Sequence, residues 1–192
     1  MRKLVYTCFM SLDGVVDSPG GGPGEEHRSA GWLVQDIEFL PEAMALKGEE
    51  LAETTALMFG RNSYESFAAV WPDSEDHEAY KELPKYVVST TLPEDALVDK
   101  WGPQTILRST EDVAALRETD GGAIFIHGSA ELARRLSEAG LIDQYNLLVA
   151  PVLLGAGAGL FDRADRDKYQ LTLRESESYS NGILKLIYDV KH

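Results

Sequence analysis

At 192 residues and 44% hydrophobic content the chain can bury one sizeable core, and no linker in it calls for a second unit, so residues 1–192 are expected to form a single domain. A formal charge of −14 and a pI near 4.6 argue against nucleic acid or an anionic membrane as partner, since either wants a basic surface. The lack of a long apolar run, of a signal-peptide pattern and of a partner for Cys8 points to a cytoplasmic protein without an internal disulfide.

Lys3 to Met10 reads as a strand of mixed burial, followed by a turn and loop over Ser11 to Val16. The run from Ser18 to His27 holds too much Gly and Pro for regular structure and is expected to be a mobile loop. From Glu38 to Thr54, Leu40, Ala43, Met44 and Leu51 recur among carboxylates as on an amphipathic helix; Pro41 confines its start and Gly48 weakens its middle. Leu57-Met58-Phe59 is an apolar strand end that runs into Gly60-Arg61-Asn62-Ser63 and a helix. Tyr86 to Thr91 is a short strand ending in three hydroxyl residues, and Ser109 or Thr110 opens a short helix to Arg117. Ala123 to Ile126 reads as a buried strand, turned at Gly128 into a helix that Ser129 can cap and that carries Leu132 and Leu136 on one face. Gln144 to Val152, Tyr169 to Glu177 and Gly182 to Val190 read as strands, with Ser180-Asn181-Gly182 a hairpin turn. The expected architecture is α/β, a mainly parallel half followed by an antiparallel tail.

Two of these strand-to-helix turns suit a phosphate. Gly60, Arg61 and Ser63 place a guanidinium, a hydroxyl and unpaired helix N–H donors around one small volume, while Gly128, Ser129 and Ala130 offer backbone N–H groups at a second helix start. Between them, Ser89, Thr90 and Thr91 could hold a ribose or a 2′-phosphate. Each motif alone is weak, because Gly-Arg is often no more than a tight turn with a surface Arg. Three strand ends of this kind are what a dinucleotide lying across the carboxyl edge of a mainly parallel sheet requires.

Other chemistries have less support. His27, His77, His127 and His192 lack metal-ligand spacing, so no metal is expected, and Cys8 reads as a small buried hydrophobe rather than a nucleophile. Gly155 to Gly159 follows a strand but precedes no long helix, which favours a flexible connection at the rim of the site over a phosphate loop. Asp13-Gly14 is by itself a turn signal. Trp32 could cover the ring face of a planar substrate or anchor the edge of the core, and Trp71-Pro72 could be a pocket wall or a packed loop.

Taken together, the motifs resemble the dihydrofolate reductase-like superfamily, and within it the reductase domain of the riboflavin-biosynthesis deaminase-reductases. The resemblance rests on Tyr6 to Gly14, Met58-Phe59-Gly60-Arg61 with Ser63-Tyr64-Glu65, Val88 to Thr91, Ile126 to Leu132 and Pro151 to Gly155, and so covers nearly the whole chain. It implies a three-layer α/β/α fold with a mostly parallel central sheet and antiparallel C-terminal strands. It also implies an NADPH-dependent oxidoreductase acting on a small polar heterocycle, similar to the phosphoribosylaminouracil reductase of riboflavin biosynthesis. Two alternatives stay open, a dihydrofolate reductase-type enzyme and a non-catalytic NADP-binding regulatory protein. The zinc-binding deaminase signature of the bifunctional enzymes is missing, and one cysteine could not supply it. The carboxylate that a folate reductase carries on its first long helix would fall near Met44, with Asp36, Glu38 and Glu42 close by. The resemblance further implies that Phe9 and Val16 flank the nicotinamide, that Thr7, Asp13 and Trp32 face the substrate with Asp13 in a catalytic role, and that the chain forms a homodimer through its C-terminal strands.

Overall fold

A computed structural model describes residues 1–22, 27–161 and 170–191. Eight strands form one sheet: β1 (Leu4–Ser11), β2 (Thr54–Gly60), β3 (Lys85–Val88), β4 (Gln104–Leu107), β5 (Ala123–His127), β6 (Gln144–Ala150), β7 (Leu171–Ser178) and β8 (Leu184–Val190). Their spatial order is β4-β3-β2-β5-β1-β6-β8-β7. The pairings from β4 to β6 are parallel, and β8 and β7 are added antiparallel at one edge. The chain thus leaves β1 toward one edge of the sheet, returns to place β5 beside β1, and continues outward on the other side through β6. Ligand crevices form at the carboxyl ends of strands where such a reversal occurs.

Helices cover both faces. Alternate residues of β1 show why, since successive side chains of a strand point to opposite faces. Leu4, Tyr6 and Cys8 pack with Val113 of α4 (Thr110–Arg117) and with Leu132, Ala133 and Leu136 of α5 (Ala130–Glu138). Val5 joins Phe59, Phe125 and Tyr64 of α3 (Arg61–Ala68) on the opposite face. On that same side α2 (Pro41–Glu53) buries Ala43 and Leu46 against Leu148, Ala150 and Ile187, together with Trp32 of the short α1 (Trp32–Asp36). The three-layer α/β/α arrangement and its antiparallel tail match the expectation.

Boundaries shift where tertiary contacts override local signal. The helix expected over 38–54 is confined to Pro41–Glu53, and the strand expected to reach Thr91 ends at Val88, so that Ser89 to Thr91 form the loop beyond it. α1 and β4 were not foreseen. α1 lies directly after a left-handed Gly31, and β4 has only four residues, none fully buried, at the far edge of the sheet. α4 begins as expected at Ser109, whose hydroxyl accepts from the Asp112 N–H while the Asp112 carboxylate accepts from the Ser109 N–H. This reciprocal cap satisfies two otherwise orphaned donors. Within the expected mobile loop, residues 23–26 lie outside the described residues, as do His192 and Tyr169 of the expected strand 169–177.

Candidate active site

The carboxyl ends of β1, β2, β3, β4 and β5 open onto a single cavity of about 1660 Å³. Its two ends differ in chemistry. At one end the β2–α3 and β5–α5 turns are stitched together: the Gly60 N–H donates to Ser129 Oγ (3.0 Å), and the Ser129 N–H donates to Ser63 Oγ (2.9 Å). The expected phosphate ligands Gly60, Ser63, Gly128, Ser129 and Ala130 therefore do converge at the cavity, but two of the donors and two of the hydroxyls brace the turns against each other. The N–H groups within the first turns of α3 and α5 are those a helix leaves without an intrahelical partner. Gly128 makes the turn possible: its φ is +59°, and a Cβ there would lie 3.3 Å from Ser63 Oγ.

Arg61 stands at this end with its Nη1 donating to Thr91 Oγ1 (3.0 Å) and its Nε to Glu65 (2.8 Å). Ser89 and Thr90 also line the cavity, although Ser89 Oγ accepts from the N–H groups of Thr91 and Leu92 and so shapes the loop. Three further arginines line the cavity: Arg108, Arg135, paired with Glu131, and Arg134, which donates to the Gly159 carbonyl (2.6 Å). Arg108 braces the loop after β3 by donating to the carbonyls of Ser89 (3.0 Å) and Leu92 (2.7 Å). It was not singled out in the sequence, yet the signal was there: Thr105-Ile106-Leu107-Arg108-Ser109 is a third apolar strand end running into a capped helix.

The other end is apolar and aromatic, with a cation at its floor. Phe9, Val16 and Thr7 all line the cavity as expected. Thr7 and His127 are paired neighbours on β1 and β5, and Lys47 comes down on them from α2. Lys47 Nζ donates to Thr7 Oγ1 and to Glu50 Oε2 (3.1 Å), and it sits 5.1 Å from the centroid of the Phe9 ring. Glu50 is 2% exposed, and its other oxygen accepts from Asn146 Nδ2 (2.8 Å), so both carboxylate oxygens are engaged. Opposite, Trp71 stacks on His77 (4.3 Å) and on Phe67 (4.6 Å), and its ring meets His127 edge-on at 5.7 Å. Burial, with Lys47 and His77 nearby, pulls His127 down to about 3, so its imidazole is neutral at physiological pH. Of the two readings of Trp71, pocket wall or packed loop, the structure gives the wall; Lys47 and His127 have no assignment in the sequence, because nothing local announces a lysine on a helix or a histidine on a strand as a wall of the same cavity.

Two expected substrate contacts lie elsewhere. Asp13 is exposed and outside the cavity lining; its carboxylate accepts from Ser11 Oγ (2.6 Å) and from the N–H groups of Gly155 (2.7 Å) and Leu154 (3.2 Å). Those bonds, led by the Ser11 hydroxyl, lower it to about 2. Asp13 thus ties the turn after β1 to the connection after β6, a positioning role. Trp32 is 1% exposed, and its Nε1 donates to the Asp17 carbonyl (2.8 Å), so it anchors the core edge and has no free ring face. The Gly155 to Gly159 segment does form the rim: Val15 and Gly159 bridge, Val16 N–H donates to the Ala158 carbonyl, and Ala158 lines the cavity. Cys8 is buried, and desolvation pushes its thiol up to about 12, as suits a packing residue.

A cavity of this kind, set at the reversal point of a mainly parallel sheet with arginines and helix N-termini at one end and a shielded aromatic pocket at the other, lies where open α/β sheets bind their ligands. Residues 2–185 match the RibD C-terminal domain, and the chain belongs to that family of reductases. The uncharacterized protein YyaP of Bacillus subtilis (strain 168) is 25% identical over 194 aligned positions, covering 97% of this chain and 94% of YyaP. Among solved structures, a putative riboflavin biosynthesis protein from Shewanella sp. PV-4 superposes with a TM-score of 0.76 at 18% identity, covering 99% of each chain. A dihydrofolate reductase from Enterococcus faecalis, complexed with NADP(H), gives 0.63 at 14% identity over 99% of this chain and 97% of its own. These two structural likenesses establish a shared fold. Among the described residues no helix is long and apolar enough to cross a membrane.

Proposed function

We propose that this protein is an NADPH-dependent reductase of a small polar heterocyclic carbonyl or imine compound. The observation that carries the reading is the polarity of this cavity, with Arg61, Arg108, Arg135 and two helix N-termini at one end and Phe9, Lys47, Trp71 and His127 at the other. The donor set fits the dinucleotide. The Gly128 turn leaves a cradle that a Cβ would crowd, and Arg61 with Thr91 and Arg108 offers charged donors to a 2′-phosphate. The bound cofactor supplies the hydride. The chain holds the reactants: Phe9 and Val16 wall the place of ring-to-ring contact, and the aromatic shell of Phe67, Trp71 and Tyr80 keeps water from it. No conspicuous acid–base pair is needed for such placement.

A folate-type reductase has less support. The α2 residues that line the cavity are Met44 and Lys47, Asp36 and Glu42 do not line it, Glu38 is an exposed rim residue, and Glu50 has both oxygens engaged. The deciding experiment is titration with NADPH and with NADH, followed by NADPH oxidation against the riboflavin-pathway aminopyrimidine, dihydrofolate and simple quinones. Tight NADPH binding with no acceptor turned over would favour a non-catalytic NADP-binding protein. Equal affinity for the two nucleotides would remove the 2′-phosphate assignment.

The C-terminal strands also support a homodimer. Leu173 is 50% exposed and Leu184 39%, β7 is an open sheet edge, and such edges invite pairing with another chain. Light scattering at micromolar concentration tests this: a doubled mass that Leu186→Glu abolishes is expected, and a mass near 21.2 kDa that persists as concentration rises would rule the dimer out.

A further inference from the structure

The aromatic end of the cavity contains a polar pair that the binding of a dinucleotide leaves unexplained. Lys47 Nζ carries three N–H donors, of which Thr7 and Glu50 take two, so one remains for a ligand in the cavity that Lys47 lines. Across the β1–β5 pairing, the His127 ring lines the cavity, while its Nε2 is closed off from solvent and has no hydrogen-bond partner among the described residues. A buried polar atom left alone costs free energy unless something bonds to it. Around the two stand flat faces, Trp71, His77 and Tyr80, together with Phe9.

The carboxylates nearest in the fold do not compete for Lys47 on the cavity side. Glu50 is behind it and fully engaged, the half-buried Asp17 accepts from the Ser18 hydroxyl (2.7 Å), and Glu38 and Asp76 are exposed lining residues. A cation held from behind by one buried carboxylate, with a spare donor facing an aromatic slot, is a receptor for oxygen carrying negative charge at the edge of a flat ring.

Resting on the reductase reading above, we propose that Lys47 binds the acceptor oxygen of the substrate, which is a planar conjugated carbonyl compound lying in the aromatic slot beside the His127 ring. In the reaction the substrate carbon gains a hydride from the reduced nicotinamide, the π pair of its C=O moves onto oxygen, and that oxygen takes a proton from Lys47 Nζ. The carbonyl becomes a hydroxyl with the hydride that bound NADPH would supply, and Lys47 recovers its proton from water. Lys47 is in this scheme both the oxyanion contact and the proton donor.

The test uses 4-nitrophenol, a flat phenol whose ionised form absorbs near the visible edge, titrated into the full chain with and without NADP⁺. A cation at the slot favours the phenolate, so the bound phenol is expected to ionise about one pH unit lower than free, a tenfold shift in the equilibrium. Lys47→Met should abolish that spectral shift and weaken phenolate binding about tenfold, whereas Lys47→Arg should keep most of it. Because Lys47→Met strands Glu50, the double variant Lys47→Met with Glu50→Gln removes the buried charge too and serves if the single variant does not fold. NADPH affinity should stay within about twofold in all of them, since the phosphate end is untouched. Failure of NADPH to bind the unmutated protein would sink the reductase reading while the nitrophenol titration still reports on Lys47. Intact NADPH binding with no spectral shift, or a shift that survives in the Met variants, would overturn the assignment of Lys47 alone.

Discussion

At the arginine-lined end of the cavity the donors come from three strand-to-helix turns, each a short stretch of consecutive residues; Ser109 caps its own helix, and the other two turns are braced against each other through Ser63 and Ser129. At the substrate end Thr7, Lys47, Trp71 and His127 come from four separate elements and meet only because β1 lies beside β5 while α2 and the Trp71–Asp73 turn cover the same sheet face. The first kind of site is built from neighbours in sequence joined by a few hydrogen bonds between turns. The second depends on a network, Thr7–Lys47–Glu50–Asn146–Gln144, buried except for the cavity side of Lys47. Damage to the second should therefore appear first as lost stability, and damage to the first as lost affinity.

The largest expected effect follows from breaking the network. Glu50→Ala leaves Lys47 and Asn146 without their common partner, and removing one member of a buried pair costs about 3–5 kcal/mol. Urea denaturation measures it. A loss under about 1 kcal/mol would mean that the pair behaves as if at the surface, and that the two ends do not differ in kind.

Next in size is Arg61→Ala at the other end. It is expected to weaken NADPH by about 1.5–3 kcal/mol, as for a lost charge-assisted bond, while barely changing NADH or the stability of the fold. Isothermal titration with both nucleotides checks it. Arg108 stays in place in this variant, so a near-zero effect would move the 2′-phosphate from Arg61 to Arg108.

The pH dependence of stability separates the two ends again, through His127. Its folded-state value is depressed from 6.5 to about 3 by burial first and then by Lys47 and His77, so on acidification the unfolded chain takes up the proton before the folded one does. The contribution is complete above the unfolded pKa and is lost as the pH falls from there toward the folded one, at a slope of about 1.4 kcal/mol per pH unit inside that window. Comparing denaturation midpoints at neutral pH and near pH 5 should show a steeper loss for the unmutated protein than for His127→Phe. Parallel curves would place His127 in contact with water.

Smallest is Gly128→Ala, which forces a Cβ into a left-handed conformation beside Ser63 and is expected to cost about 1–2 kcal/mol, read as a modest drop in thermal midpoint. NADPH binding should weaken as well, because Ser129 N–H and Gly60 N–H are held by the same brace. An unchanged midpoint with unchanged affinity would show that the turn can relax.

Much of the fold could be read from the chain because its signals are local. Apolar runs ending in Gly-Arg or His-Gly-Ser, an Asn-Gly between two strands and a Ser-x-x-Asp cap each determine a few backbone angles, and the order of these pieces allows little besides a parallel sheet with an antiparallel tail. Phe9, Val16 and Thr7, which the resemblance had pointed to, and the turn glycines Gly60 and Gly128 do line the cavity. What the sequence by itself could not determine was the company a side chain keeps. Asp13 has the same neighbours in sequence whether it meets a substrate or the N–H groups of Leu154 and Gly155, and only the approach of the β6 connection decided for the latter. Trp32 was drawn inward because burying a large ring against Leu33 and Leu148 outweighs leaving it as a lid. Lys47 became the floor of a pocket for the converse reason: α2 buries Ala43 and Leu46 against the sheet, and that packing carries the lysine, together with its buried Glu50, over β1, a placement made by contacts between residues far apart in the chain.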